Sequence, residues 1–175
     1  DLLNLENEKE DAKRASNLCK SDLVTNMVFE FTELQGIMGR EYAKVSGEND
    51  NVCEAIFEHY LPRFAGDMLP KTNCGVSLSI ADKLDSICGF FAIGIQPTGS
   101  QDPYALRRQA LAILNIIMDK GLNIDLKELV NISLENYSNL EFNKEEVANS
   151  VMEFFKERLK NLFKDLGIRY DVIEA

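Results

Sequence analysis

The chain has 175 residues, 45% of them apolar, which is enough to bury a proper core as one domain or as one domain with a helical extension. Its 29 acidic and 19 basic side chains give a net charge of -10, which argues against a surface broadly adapted to wrapping nucleic acid and leaves room only for a local basic patch. Cys19, Cys53, Cys74 and Cys88 show no CxxC spacing, so neither a zinc ribbon nor a disulfide framework is expected, and reduced thiols of a cytoplasmic protein are. The longest apolar run, Ile87 to Ile95, contains two glycines and falls short of the roughly 20 residues a membrane span needs. No secretory signal is visible, and a start at Asp1, within a charged helical pattern, reads as an internal piece of something longer.

Along the chain, Ala12, Ala15 and Leu18 recur at helical spacing and predict a one-sided helix over Asp1 to Cys19. Val24, Met27, Val28 and Phe31 predict a second, with Ser21 or Asp22 as N-cap. Gly36 and Gly39 weaken the following helical pattern by about 1 kcal/mol each relative to Ala, which points to close approach of another backbone. Asn51 with Glu54 resembles a capping box for a helix carrying Val52, Ile56, Phe57 and Tyr60, ended by Pro62. Residues 64–75 read as a loop, and Val76 to Ile93 as a helix.

On that helix Ile80, Leu84, Ile87, Cys88 and Phe91 share one sector, and Leu78, Gly89 and Ile93 the opposite one, so cover is expected on more than one face. Asp82 projects into the second sector and Asp85 lies one turn on. Asp102 and Pro103 signal the start of a helix to Lys120, which Gly121 ends. Arg107 falls on its apolar side near Leu111 and Leu114, and Arg108 in a polar wedge with Asn115 and Asp119. Asp125 opens a short helix, Asn143 with Glu146 caps a long amphipathic one that Gly167 stops, and Tyr170 to Ala175 starts another. With no strand alternation, the expected fold is an all-α bundle.

The chain has no GxxxxGK[ST] loop, GxSxG elbow or GxGxxG motif, and its one histidine excludes sites that need two. Asp22, His59 and Asp82 could together hold a divalent ion completed by water; the plainer assignment makes Asp22 a cap, His59 a core or surface residue and Asp82 the partner of an arginine. Arg107 is the natural partner, so an ion pair with Asp82 or Asp85 is expected, and removing one member should cost about 3 to 5 kcal/mol if the pair is buried. Arg108, with Lys71, Arg63 and Lys83, could form a small phosphate-contacting patch.

The strings ELQGIMGREYA, EHYLPRFAGDMLPKT, SIADKLDSICGFFAIGIQPTGSQDPYALRRQALAIL and GIRYDVIEA resemble the bacterial glycyl-tRNA synthetase β subunit family, in register over nearly the whole chain. The resemblance implies a degenerate HD-domain-like helical bundle over residues 1–121, and the helical extension over 122–175 is expected to pack on it as part of the same structural unit. The HD pattern is broken: its paired motif falls on Ser21 and Asp22, Asp82 takes the place of the final aspartate, and His59 holds an approximate place. Ser21 is a poor substitute for imidazole, so no catalytic metal is expected. By the same resemblance, glycine, ATP and Mg bind in the α subunit. This piece supports recognition of glycine tRNA at its acceptor arm and assembly with the α subunit and the rest of the β subunit, without DNA or membrane. The competing expectations are an active HD-type metal-dependent phosphohydrolase and a purely structural helical spacer.

Overall fold

The computed structural model describes residues 8–174, so the expected helical residues before Glu8, and Ala175, lie outside it. Its regular elements are α1 (Lys9–Leu18), α2 (Asn26–Glu30), α3 (Ile37–Val45), α4 (Asp50–Glu58), α5 (Asn73–Ala92), α6 (Leu106–Lys120), α7 (Leu126–Glu135), α8 (Lys144–Asp165) and α9 (Tyr170–Ile173). Among the described residues there is no strand, only one isolated bridge between Thr98 and Gln101, so the fold is all-α as the periodicity predicts. The chain forms two compact units that divide between Asp82 and Lys83.

In the first unit α4 packs on α1 and α3. Ala15 of the N-terminal stripe and the neighbouring Cys19 meet Ala43, Val52, Cys53, Ala55, Ile56, Cys74 and Leu78, with Ala12 and Leu18 at the margin. The small side chains on α1 and α4 let those helices approach closely, and burial of the larger ones supplies the hydrophobic stabilisation. Three of the four thiols lie in this cluster, and burial pushes Cys74 up to about 12, which suits apolar packing and not nucleophilic chemistry.

The helix expected through Val24 and Phe31 is broken. Ser21–Val24 and Thr32–Leu34 are 3-10 turns flanking the five-residue α2, whose cap is Thr25, accepting from the Val28 N–H. Only Val28 of the predicted stripe is buried. The cap of α4 is Asn49, which accepts from the Val52 N–H, while Asn51 donates to Asp11. A capping box needs an acceptor three residues before its amide. Both Asn49 and Asn51 donate to the Asp11 carboxylate on α1, and only Asn49 also caps, its Oδ1 accepting the Val52 N–H three residues on.

In the second unit the later half of α5 contributes Ile87, Cys88 and Phe91 to a core shared with Leu106, Ile113, Ile116, Val130, Leu134, Val151 and Phe155. Helix α8 packs on α6 and α7, and the Phe91 and Phe154 rings meet edge to face at 5.1 Å. The second face of α5 is covered at Gly89 by Tyr137, whose hydroxyl donates to the Asp85 carbonyl at 3.0 Å, but Ile93 is exposed. Asp125 and Asn143 cap α7 and α8 as their spacing predicts, and Gly121 ends α6 with φ +58°.

Helix α6 begins three residues later than Asp102 and Pro103 imply. The Asp102 carboxylate reaches forward to accept the amides of Leu106 and Arg107 at 2.8 and 3.0 Å. Ala105 joins the turn to the helix at φ +55°, a left-handed conformation that costs a residue with a Cβ about 1 to 2 kcal/mol. Those two charge-assisted bonds offset the strain and settle where Arg107 enters the helix.

Candidate functional site

The residues expected to form a metal centre have structural partners. Asp22 is 2% exposed, and its Oδ2 accepts the N–H groups of Gly36 at 2.7 Å and Gly39 at 3.1 Å. It therefore caps α3 from fourteen residues upstream, in place of the adjacent helix assigned to it from sequence. The glycines there make room for side chains and not for a backbone: a Cβ on Gly39 would stand 2.8 Å from Ile56 Cγ2 and 3.1 Å from Asp22 Oδ2. Asp22 Oδ1 is buried without a hydrogen-bond partner among the described residues.

His59 is fully buried, its Nδ1 2.7 Å from the Ile56 carbonyl and its ring 3.9 Å from that of Tyr60. That short contact requires the proton on Nδ1. Asp82 pairs with Lys20, which corrects the expected pairing with Arg107; Asp85 is exposed and forms no ion pair with Arg107 either. Lys20 lies in the connection between α1 and the 3-10 turn Ser21–Val24, a position that a helical wheel of α5 or α6 does not include.

Among the described residues no group of three or more His, Cys, Asp or Glu side chains is arranged to hold a metal. The donor set does not fit a catalytic divalent ion: Ser21 is exposed and neutral, one Asp22 oxygen is taken by two amides, and Lys20 supplies the positive charge at Asp82.

Tyr60 adjoins these groups. Its hydroxyl oxygen accepts from Gln35 Nε2 at 2.7 Å, and burial pushes it up to about 12, with the negative charges of Asp22 and Asp82 acting the same way and the Gln35 bond opposing them. A folded value above the ordinary tyrosine value of about 10 means that the neutral phenol contributes stability fully below pH ~10 and loses it as pH rises through 12. Tyr137 is raised to about 12 as well, chiefly by burial. In an alkaline absorbance titration Tyr60→Phe should therefore abolish one of two late ionisations, and a titration identical to that of the parent chain would contradict this placement of Tyr60.

Sequence reasoning missed Glu58. Only 6% exposed, it accepts the Lys71 N–H at 2.9 Å on Oε1, and the Thr72 N–H and hydroxyl at 3.0 and 2.6 Å on Oε2. The Thr72 hydroxyl in turn accepts the Gly75 N–H at 3.0 Å, so Glu58 anchors the start of α5, where Glu8 accepts the Cys74 N–H. The Thr72-to-Gly75 spacing, a hydroxyl three residues before the amide it caps, was the only local signal.

The expected basic patch is altered. Lys83 is buried at 6% exposure, which removes it as a surface contact. Arg63 forks onto Asp67, whose carboxyl is held down to about 2 mainly by that bond. Lys71 and Arg108 are exposed, the first in the first unit and the second in the second. Arg107 does not join them but faces a groove in the second unit together with Arg158, a residue to which the sequence drew no attention.

Residues 2–175 match a family model described as glycyl-tRNA synthetase beta subunit. The chain is 71% identical over its full length to the glycine–tRNA ligase beta subunit of Clostridioides difficile, covering 25% of that protein. It is 54% identical to the subunit of the same name from Desulforamulus reducens, with 97% of this chain and 25% of the relative aligned, and 52% identical to that of Syntrophomonas wolfei, with 95% and 24% aligned. The chain thus spans about a quarter of the length of the curated relatives it matches. Among the described residues no helix is long and apolar enough to cross a membrane.

Proposed function

Since the chain belongs to the glycyl-tRNA synthetase beta subunit family, we propose that it is a non-catalytic part of a cytoplasmic glycine–tRNA ligase, one that helps to position glycine tRNA and to assemble the subunits. The match over residues 2–175 carries this reading. Adenylation and glycyl transfer, with their ATP and Mg, are assigned to the α subunit. The arrangement of the HD-like positions supports the division of labour: Asp22 organises α3, Asp82 is held by Lys20, and neither is disposed toward a substrate.

With a net charge of -10, the RNA contact is a local one. Arg108 and Lys71 are exposed cations with no acid partner among the described residues, so the contact is assigned to them first, and to Arg63 after its release from Asp67. The predicted outcome of photo-crosslinking glycine tRNA to the full α and β assembly is that crosslinked peptides include Arg108 or Lys71. Crosslinks confined to the rest of the β subunit would leave this piece a helical spacer and refute the reading.

A further inference from the structure

The second unit holds a groove of about 630 Å³ bounded by Pro97 and Gly99 of the loop after α5, by Arg107 at the start of α6, and by Phe154 and Arg158 on α8. Arg158 is fixed in place. Its guanidinium carbon lies 3.8 Å above the Phe154 ring centroid, its Nη1 donates to the Phe154 carbonyl and to Glu157 Oε2, both at 2.8 Å, and its side chain is 11% exposed. Arg107 is different: its backbone is anchored by Asp102, but its guanidinium forms no ion pair among the described residues. Burial lowers the proton affinity of Arg158, the neighbouring charge of Arg107 lowers it further, and Glu157 and Asp102 act against them.

Two arginines that face one partly enclosed volume repel each other more than they would in water, and one of them has no carboxylate to offset the cost. An anion placed between them removes the repulsion, and the planar fork of each guanidinium fits two oxygens of a tetrahedral phosphate. Glu146, Glu153 and Glu157 also line the groove. A track of successive phosphates would meet all three carboxylates, whereas a single phosphate at the arginines has to share Arg158 with Glu157 and takes its free charge from Arg107.

We propose that this groove grips one phosphate group of the bound tRNA between Arg107 and Arg158, with Asp102 and Phe154 setting the two side chains in place. The proposal rests on the tRNA-positioning reading above and deepens it to a subsite.

The test uses the full α and β assembly carrying Arg107→Gln, Arg158→Gln or Arg107→Lys, with a glycine tRNA transcript titrated at several salt concentrations. Each glutamine variant should raise the Kd about tenfold at low salt and reduce the slope of log Kd against log salt by about one. Arg107→Lys should restore the slope but only part of the affinity, because it keeps the charge and loses the fork. Because Arg158 is partly buried and its variant could misfold, Glu153→Gln serves as a second probe: removing an acid from the groove should tighten tRNA binding several-fold. Parental Kd and slope in both glutamine variants, with no gain from Glu153→Gln, would overturn the subsite. If photo-crosslinks still fall on this chain in that case, the wider reading survives; if none do, both fail. Variants that keep tRNA affinity but weaken ATP binding would likewise overturn it, since the phosphate would then come from the nucleotide.

Discussion

Glu58→Ala should lower the melting temperature of the chain by about 6 to 12 °C. The carboxylate receives two backbone amides and the Thr72 hydroxyl, all at the entry to α5, the helix to which both compact units contribute residues. Hydrogen bonds to a charged group are worth about 1.5 to 3 kcal/mol each, and a buried donor left unpaired pays its desolvation in full. Because water can reach the partly buried Lys71 and Thr72 amides, the expected loss is about 3 kcal/mol and not the sum of three bonds. At about 2 to 4 °C per kcal/mol for a chain of this size, that gives the stated range. Glu58→Gln should cost about half as much, because one amide oxygen still accepts. The same anchor explains Gly75: a Cβ there would lie 2.1 Å from Glu58 Oε2 and 2.7 Å from Glu58 Cβ, so no other residue leaves the carboxylate in place. A melt of Glu58→Ala within about 1 °C of the parent chain would show that α5 starts without it.

The second large effect is expected at the cap of α3. Asp22→Ala removes the acceptor of the Gly36 and Gly39 amides and should cost about 2 to 3 kcal/mol, above the usual range for an exposed cap because the site is buried. Gly39→Ala should also destabilise, although Ala is the better helix former by about 1 kcal/mol, because its Cβ would press on Ile56 and on Asp22. The two changes share a contact, so their costs should not add: Gly39→Ala should be cheaper in the Asp22→Ala background, where the carboxylate no longer stands 3.1 Å from the new methyl. Urea denaturation of the two single variants and the double variant measures the coupling, and strict additivity would rule out the shared site.

These residues mark the limits of what can be read from the chain. Asp125, Asn143, Gly121 and Gly167 were legible as helix ends because a local cap joins groups a few residues apart, whose geometry the backbone supplies on its own. Asp102 was legible as a cap, but the helix it starts is displaced because its carboxylate bonds amides four and five residues on. Asp22 and Glu58 were not legible as remote caps. Their partners lie thirteen to seventeen residues away, and nothing in the intervening sequence encodes that approach.

The arginine pair reverses a sequence expectation for the same reason. A helical wheel places Arg107 on the apolar side and Arg108 on the polar side, which favours a fold role for the first and a surface role for the second. The wheel is correct about direction and silent about neighbours. The side toward which Arg107 points is a groove that Arg158 enters from α8, more than forty residues later in the chain. Lys20 replaces Arg107 at Asp82 through a connection of the same kind, one that no periodicity within α5 or α6 reveals.

The sequence by itself determined the helical class, the ends marked by Gly121, Asp125, Asn143 and Gly167 and, through long unusual strings, the family, because these depend on short-range hydrogen bonding, the 3.6-residue period and residue identity. Tertiary structure alone decided which buried carboxylate caps which helix, which cation meets Asp82 and which arginine faces the groove. Each of these is a charge whose energy depends on burial and on the distance to groups remote in the chain, and both quantities exist only once the helices have packed.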